Sequence, residues 1–165
     1  MVEAPTLHRA LLALIVLGLA LSIYAALEVW VAGLSSACSV NSVISCSQVL
    51  RSGHTSFPPG TFIPDWAWGV GGFLALLVID VALLQTYDVR LLWAVVVLSA
   101  LGVVVAVSLG YIEVFVIHAI CPVCVSTYAA GVGVFVISAY LLKMRRAADL
   151  DLRSATEPSS GTPST

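Results

Sequence analysis

Cys121-Pro122-Val123-Cys124 sets two thiols three positions apart, between one long apolar run ending at Ile117-His118-Ala119-Ile120 and another from Val125 to Leu142. Thiols at this spacing can close into a disulfide. At the start of a helix, free amide N–H groups and the positive dipole end favour a thiolate, the reactive form of cysteine. Two further thiols, Cys38 and Cys46, lie in 35–64, the only long polar segment between apolar runs. The residues therefore suit a thiol–disulfide relay. The loop pair is open to a protein, and the Cys-x-x-Cys pair in the apolar zone is open to a small apolar oxidant. Exchange between the pairs needs only thiolate attack through mixed disulfides. Two other uses of the same residues remain open at this point: a structural disulfide framework, and a four-thiolate zinc site that lacks its second close Cys-x-x-Cys arm.

The elements that must hold these thiols are apolar. Of 165 residues, 60% are hydrophobic and 10% charged, with a mean hydropathy of +1.06. A soluble domain of this size has too little interior for so much apolar surface. The few basic residues are scattered, which excludes a nucleic-acid footprint. Ala10 to about Leu34 is long enough to span the roughly 30 Å hydrocarbon core, and longer than the ~7–15 apolar residues of a cleaved signal peptide. Asp65 to about Gln85 reads as a second span, opening on the interfacial pair Trp66 and Trp68. Leu91 to about Val116 reads as the third, and Ile120 to about Leu142 as the fourth. Between the first two, the spacing of Val40, Val43 and Ile44 predicts a short surface helix capped by Ser39 or Asn41. The expectation is an all-α membrane protein: a four-transmembrane-helix bundle with an extracytoplasmic loop, 35–64, carrying a short surface helix. Residues 1–9 form a polar start, 10–146 the membrane domain and 147–165 a disordered tail.

Arg9, Arg90, Lys143, Arg145 and Arg146 fall on one side of this plan, and only Arg51 falls near a span on the other. The positive-inside rule then puts both termini in the cytoplasm and all four cysteines at the extracytoplasmic face of a cell membrane, where disulfides persist. Glu28, Asp80 and Glu113 lie in or near spans. Charge there is expensive and often functional, but all three are expected to reach an interface or water. His54 and His118 flank the cysteine face.

Cys38-x7-Cys46-Ser47, Ser52 six positions after Cys46, and Cys121-Pro122-Val123-Cys124-Val125-Ser126-Thr127-Tyr128 together resemble the vitamin K epoxide reductase family and its prokaryotic homologues, over about Ala10 to Leu142. The disulfide-bond formation protein B family has similar chemistry but places its Cys-x-x-Cys pair early in the chain. The resemblance implies a quinone-dependent thiol oxidoreductase. Cys38 would exchange with a partner, Cys46 would pass electrons to Cys121, and Cys124 would meet the quinone. Tyr128, one helical turn beyond Cys124, would hydrogen-bond a quinone carbonyl. Ser52 matches the family's loop Ser or Thr beside the relay. Asp65 stands where the family commonly has Asn. Trp66 and Trp68 read first as interface anchors, with a place in the lining of a quinone pocket as the alternative. The implied acceptor is a lipid quinone of menaquinone, ubiquinone or vitamin K type, with no metal. With no fused thioredoxin-like domain in this sequence, the implied partner is a separate thioredoxin-fold protein outside the cytoplasm. The alternatives are physiological reduction of vitamin K epoxide itself, or a non-catalytic membrane protein with structural disulfides.

Overall fold

The computed structural model describes residues 4–31, 41, 43–50, 64–86 and 88–156. Cys38, Arg51, Ser52, His54 and the Pro58-Pro59-Gly60 turn lie outside them, as does the side chain of Asp65. Among the described residues α1 spans Ala4–Trp30, α2 Cys46–Leu50, α3 Asp65–Thr86, α4 Val89–Ile112 and α5 Pro122–Thr156. A π-helical turn, Glu113–Ile117, continues α4. Four of these helices are long and apolar enough to cross a membrane. Even α3, with 22 residues, reaches about 33 Å at about 1.5 Å per residue.

The long helices close into a ring in which α1 and α4 each pack between α3 and α5. Leu11, Ile15, Leu76, Leu92, Val95 and Val134 fill its middle. Its outside is apolar as well: Leu17, Val78, Val104, Val107 and Val136 are exposed. Such a continuous apolar exterior is unsuited to water and matched to lipid, and the chain is a multi-pass membrane protein. Close approach of α1 and α3 depends on Gly18, where a Cβ would overlap the Phe73 ring; small residues allow such contact between membrane helices. Asp88 caps α4 by accepting from the Arg90 amide at 2.9 Å.

Several boundaries differ from the sequence expectation. Helix α1 begins at Ala4, inside the expected polar start, and has ended by Val31, which forms a bend. Helix α5 runs to Thr156, through the first ten residues of the expected disordered tail, because Ala147 to Leu152 carry helix-favouring residues on an exposed stretch. The short helix lies one step later than its apolar spacing suggested. Asn41 accepts from the Val43 and Ile44 amides, at 2.9 and 2.7 Å, as a capping residue does, but Val43 O and the Ser45 amide are spent on the pairing with Ile120, so no helix follows it directly. Helix α2 then starts at Cys46, with Ser45 Oγ accepting from the Gln48 amide at 3.3 Å. The three acidic residues in spans do not reach water: Glu28, Asp80 and Glu113 are all buried. Asp80 instead meets His8 of α1, Nε2 to Oδ1 3.5 Å, so the first turns of α1 are held to α3 by polar contact.

Candidate active site

A single backbone bridge brings the two halves of the site together. Ile44 pairs in parallel with Ile120: the Ile120 amide donates to Val43 O at 2.8 Å and the Ser45 amide to Ile120 O at 3.2 Å. The residues that follow these pairs are Cys46, opening α2, and Cys121, preceding α5. Their sulfurs lie 3.3 Å apart, and both side chains are fully buried. Cys46 is held in a disulfide, whereas Cys121 and Cys124 are free thiols.

Cys121 is the N-cap of α5 and Pro122 its first helical residue, a position that needs no amide hydrogen. The Cys121 sulfur accepts from the Cys124 amide at 3.2 Å, as a capping oxygen would. The Cys124 sulfur lies 2.6 Å from that of Cys121. Cys121 therefore faces two sulfurs, Cys46 on one side and Cys124 on the other, the geometry that a relay requires.

The connection into α5 is made by the π turn. Its extra residue per turn carries the chain outward, and His118, at φ 56°, ends it in the left-handed region. That conformation costs a non-glycine residue about 1 kcal/mol. Glu113, first in the turn, points inward. It accepts from the Tyr128 hydroxyl at 2.8 Å and from the Cys121 amide at 3.3 Å. Sequence reasoning set Glu113 aside as an interfacial charge. The usable signal was a carboxylate inside an apolar run, eight positions before Cys121.

Beyond Cys124 lies a cavity of about 230 Å³, walled by α1, α3, α4 and α5. Cys124 and Tyr128 form part of its wall, with Trp66, Trp68, Gly72 and Leu109 among the other lining residues. Its hydroxyls are turned away. Ser22 donates to Gly18 O, Ser99 to Val95 O and Thr127 to Val123 O, each four positions back on its own helix. The thiol of Cys124 and the hydroxyl of Tyr128, the latter bonded to Glu113, are among the polar groups of the cavity wall. The guest that fits is apolar, with a group that exchanges electrons with a thiol and bonds with a phenol.

Of the residues singled out from sequence, Cys46, Cys121, Cys124, Tyr128, Trp66 and Trp68 come together at this end of the bundle. Asp65 opens α3 there; Cys38 and Ser52 lie outside the described residues.

A model of the vitamin K epoxide reductase family matches residues 9–139, a stretch that contains every residue around the cavity. Vitamin K epoxide reductase complex subunit 1 of Mus musculus is 33% identical over 159 residues, which cover 82% of this chain and 89% of the mouse protein. These similarities agree with the buried cysteines gathered beside an apolar cavity. The chain belongs to the vitamin K epoxide reductase family and is a membrane oxidoreductase of that type, dependent on a quinone.

Proposed function

We propose that the protein oxidises the dithiol of a separate thioredoxin-fold protein outside the cytoplasm and passes the electrons to a lipid quinone, driving disulfide formation in other proteins. The observation that carries this reading is the 3.3 Å between the Cys46 and Cys121 sulfurs, which links a loop disulfide to the thiols at the cavity. Cys38 is assigned as the other half of that disulfide and as the point of attack for the partner. The partner's first thiolate forms a mixed disulfide with Cys38, and its second resolves it, leaving Cys38 and Cys46 reduced. Cys46 then attacks Cys121 of a Cys121–Cys124 disulfide, and Cys38 closes on Cys46. The pair beside the cavity is left as two thiols. Two electrons and two protons pass from these thiols to the quinone as their disulfide reforms.

In this reading the quinone ring sits against Cys124 and Tyr128, between Trp66 and Trp68, and Asp65 and Ser52 complete the set of residues that serve it. The quinone is of menaquinone, ubiquinone or vitamin K type. Both termini lie in the cytoplasm. This orientation is supported by the gathering of basic residues away from the cysteines: Arg9 and Arg145 share one crevice with His8, and Arg146 stacks on Trp93 at 4.7 Å.

The test is a coupled assay with purified protein, a reduced thioredoxin-fold donor and a short-chain quinone. One donor disulfide is expected per quinone consumed, and donor oxidation without quinone loss would refute the scheme. The name of the mouse relative favours a second reading, in which vitamin K epoxide is the physiological substrate. Turnover of the epoxide faster than oxidation of any protein donor would establish it instead.

The cavity assignment has its own check. A Cβ on Gly72 meets no atom within 4 Å, so Gly72→Leu projects into the space reserved for the quinone. It is expected to raise the KM for quinone about tenfold or more, some 1.4 kcal/mol, with dithiol exchange at Cys46 unchanged. An unaltered KM would move the quinone out of this cavity.

A further inference from the structure

We propose that Glu113 is a catalytic residue that carries a proton from the Cys124 thiol, by way of Tyr128, to the quinone; this rests on the quinone reading of the cavity. The Tyr128 hydroxyl and the Cys121 amide both converge on this carboxylate, and the Cys124 sulfur lies 2.6 Å from that of Cys121. It is 3% exposed and sits in a membrane-crossing segment, where an ionisable side chain is expensive and is kept for function. The π turn that places it is a feature concentrated at functional sites.

Hydrogen-bond counting then decides its role. A phenol has one proton to donate. Tyr128 gives that proton to Glu113 at 2.8 Å, so it cannot give it to a quinone oxygen at the same time. It becomes a donor to the quinone once Glu113 is protonated and donates to the phenol oxygen instead. The source of that proton is assigned to the Cys124 thiol, which lines the cavity with Tyr128 and lies 2.6 Å from the sulfur of Cys121, whose amide bonds the same carboxylate. Forming the thiolate that supplies electrons thus frees the phenol that stabilises charge arriving on the quinone.

The balance closes as follows. The Cys124 S–H bond breaks and its proton goes to Glu113. Tyr128 passes its proton to one quinone oxygen and takes the proton from Glu113, so both side chains return to their starting forms. The Cys121 S–H proton leaves to water, and the second quinone oxygen takes one from water. Two electrons move from the two sulfurs to the quinone, the Cys121–Cys124 bond forms, and the product is a quinol.

The experiment is single-turnover reduction of a short-chain quinone by full-length protein that has been prereduced and freed of reductant. Glu113→Gln keeps an acceptor for the Cys121 amide but carries no proton, and it is expected to slow the step about 100-fold. Glu113→Asp, which keeps a carboxylate, is expected to be at least about tenfold faster than Glu113→Gln. Tyr128→Phe is expected to slow the step ~10–1000-fold. Because the two residues act in one relay, the Glu113→Gln, Tyr128→Phe double variant should be little slower than the slower single one, whereas independent effects would multiply. A native rate for Glu113→Gln, an aspartate variant no faster than the glutamine one, or multiplying effects would overturn the relay while leaving the quinone reading intact. Failure of the native reduced protein to reduce quinone would overturn that reading and the relay with it.

Discussion

Cys124→Ala is expected to reduce quinone turnover to background while leaving the bundle folded. Among the described residues Cys124 is the only cysteine lining the cavity, and the Cys121 sulfur lies 3.3 Å from that of Cys46. Without Cys124 the Cys121 sulfur has no neighbour on α5 with which to close a disulfide, so the two-electron donor is lost. The Cys46 disulfide should still form with an external oxidant. Because Cys121 keeps its approach to Cys46, a cross-link between α2 and α5 should accumulate that the missing thiol would have resolved. Peptide mapping under non-reducing conditions would detect it. The side chain is small and 6% exposed, so its truncation falls at the mild end of core substitutions, about 1 kcal/mol, and an unchanged helical melting curve would separate lost chemistry from lost structure. Retention of quinone reduction by this variant would mean that another thiol meets the quinone.

Cys46→Ala is expected to be equally severe in the coupled assay and harmless in single turnover. Cys46 is the described cysteine in contact with Cys121 across the Ile44–Ile120 bridge. Removing it cuts the path from the loop to α5. Oxidation of a protein dithiol should stop, and Cys38, left as a lone thiol, should attack the oxidised form of the partner and hold it as a mixed disulfide visible by mass spectrometry, with one partner thiol released. Protein whose Cys121 and Cys124 have been reduced by a small dithiol should still reduce one equivalent of quinone at the native rate. Full turnover with a protein donor would place another group between loop and helix. The two variants thus divide the reaction at Cys121, each abolishing one half and sparing the other.

The sequence by itself determined the class and the inventory. Long apolar runs with few charges leave no choice but membrane helices, because in lipid the backbone must satisfy its own hydrogen bonds. Cysteine spacing with Tyr128 one turn beyond Cys124 places thiol and phenol on one helical face, a consequence of 3.6 residues per turn. Those features are local and periodic, so they are legible without a fold. The tertiary structure decided which groups touch. Cys46 meets Cys121 because two short extended segments, 75 positions apart at the sulfurs, share a parallel bridge that no local preference encodes. The apolar spacing of Val40, Val43 and Ile44 pointed to a helix capped at Asn41; Asn41 does accept from the Val43 and Ile44 amides, but the pairing with Ile120 takes Val43 O and the Ser45 amide, and the helix starts at Cys46. Glu113 looked like a charge able to reach the interface. The π turn rotates it inward, and its partners come from Cys121 and from a helix whose register against α4 is set only by packing. Burial of a carboxylate depends on the partners that gather around it, and those were brought by the fold.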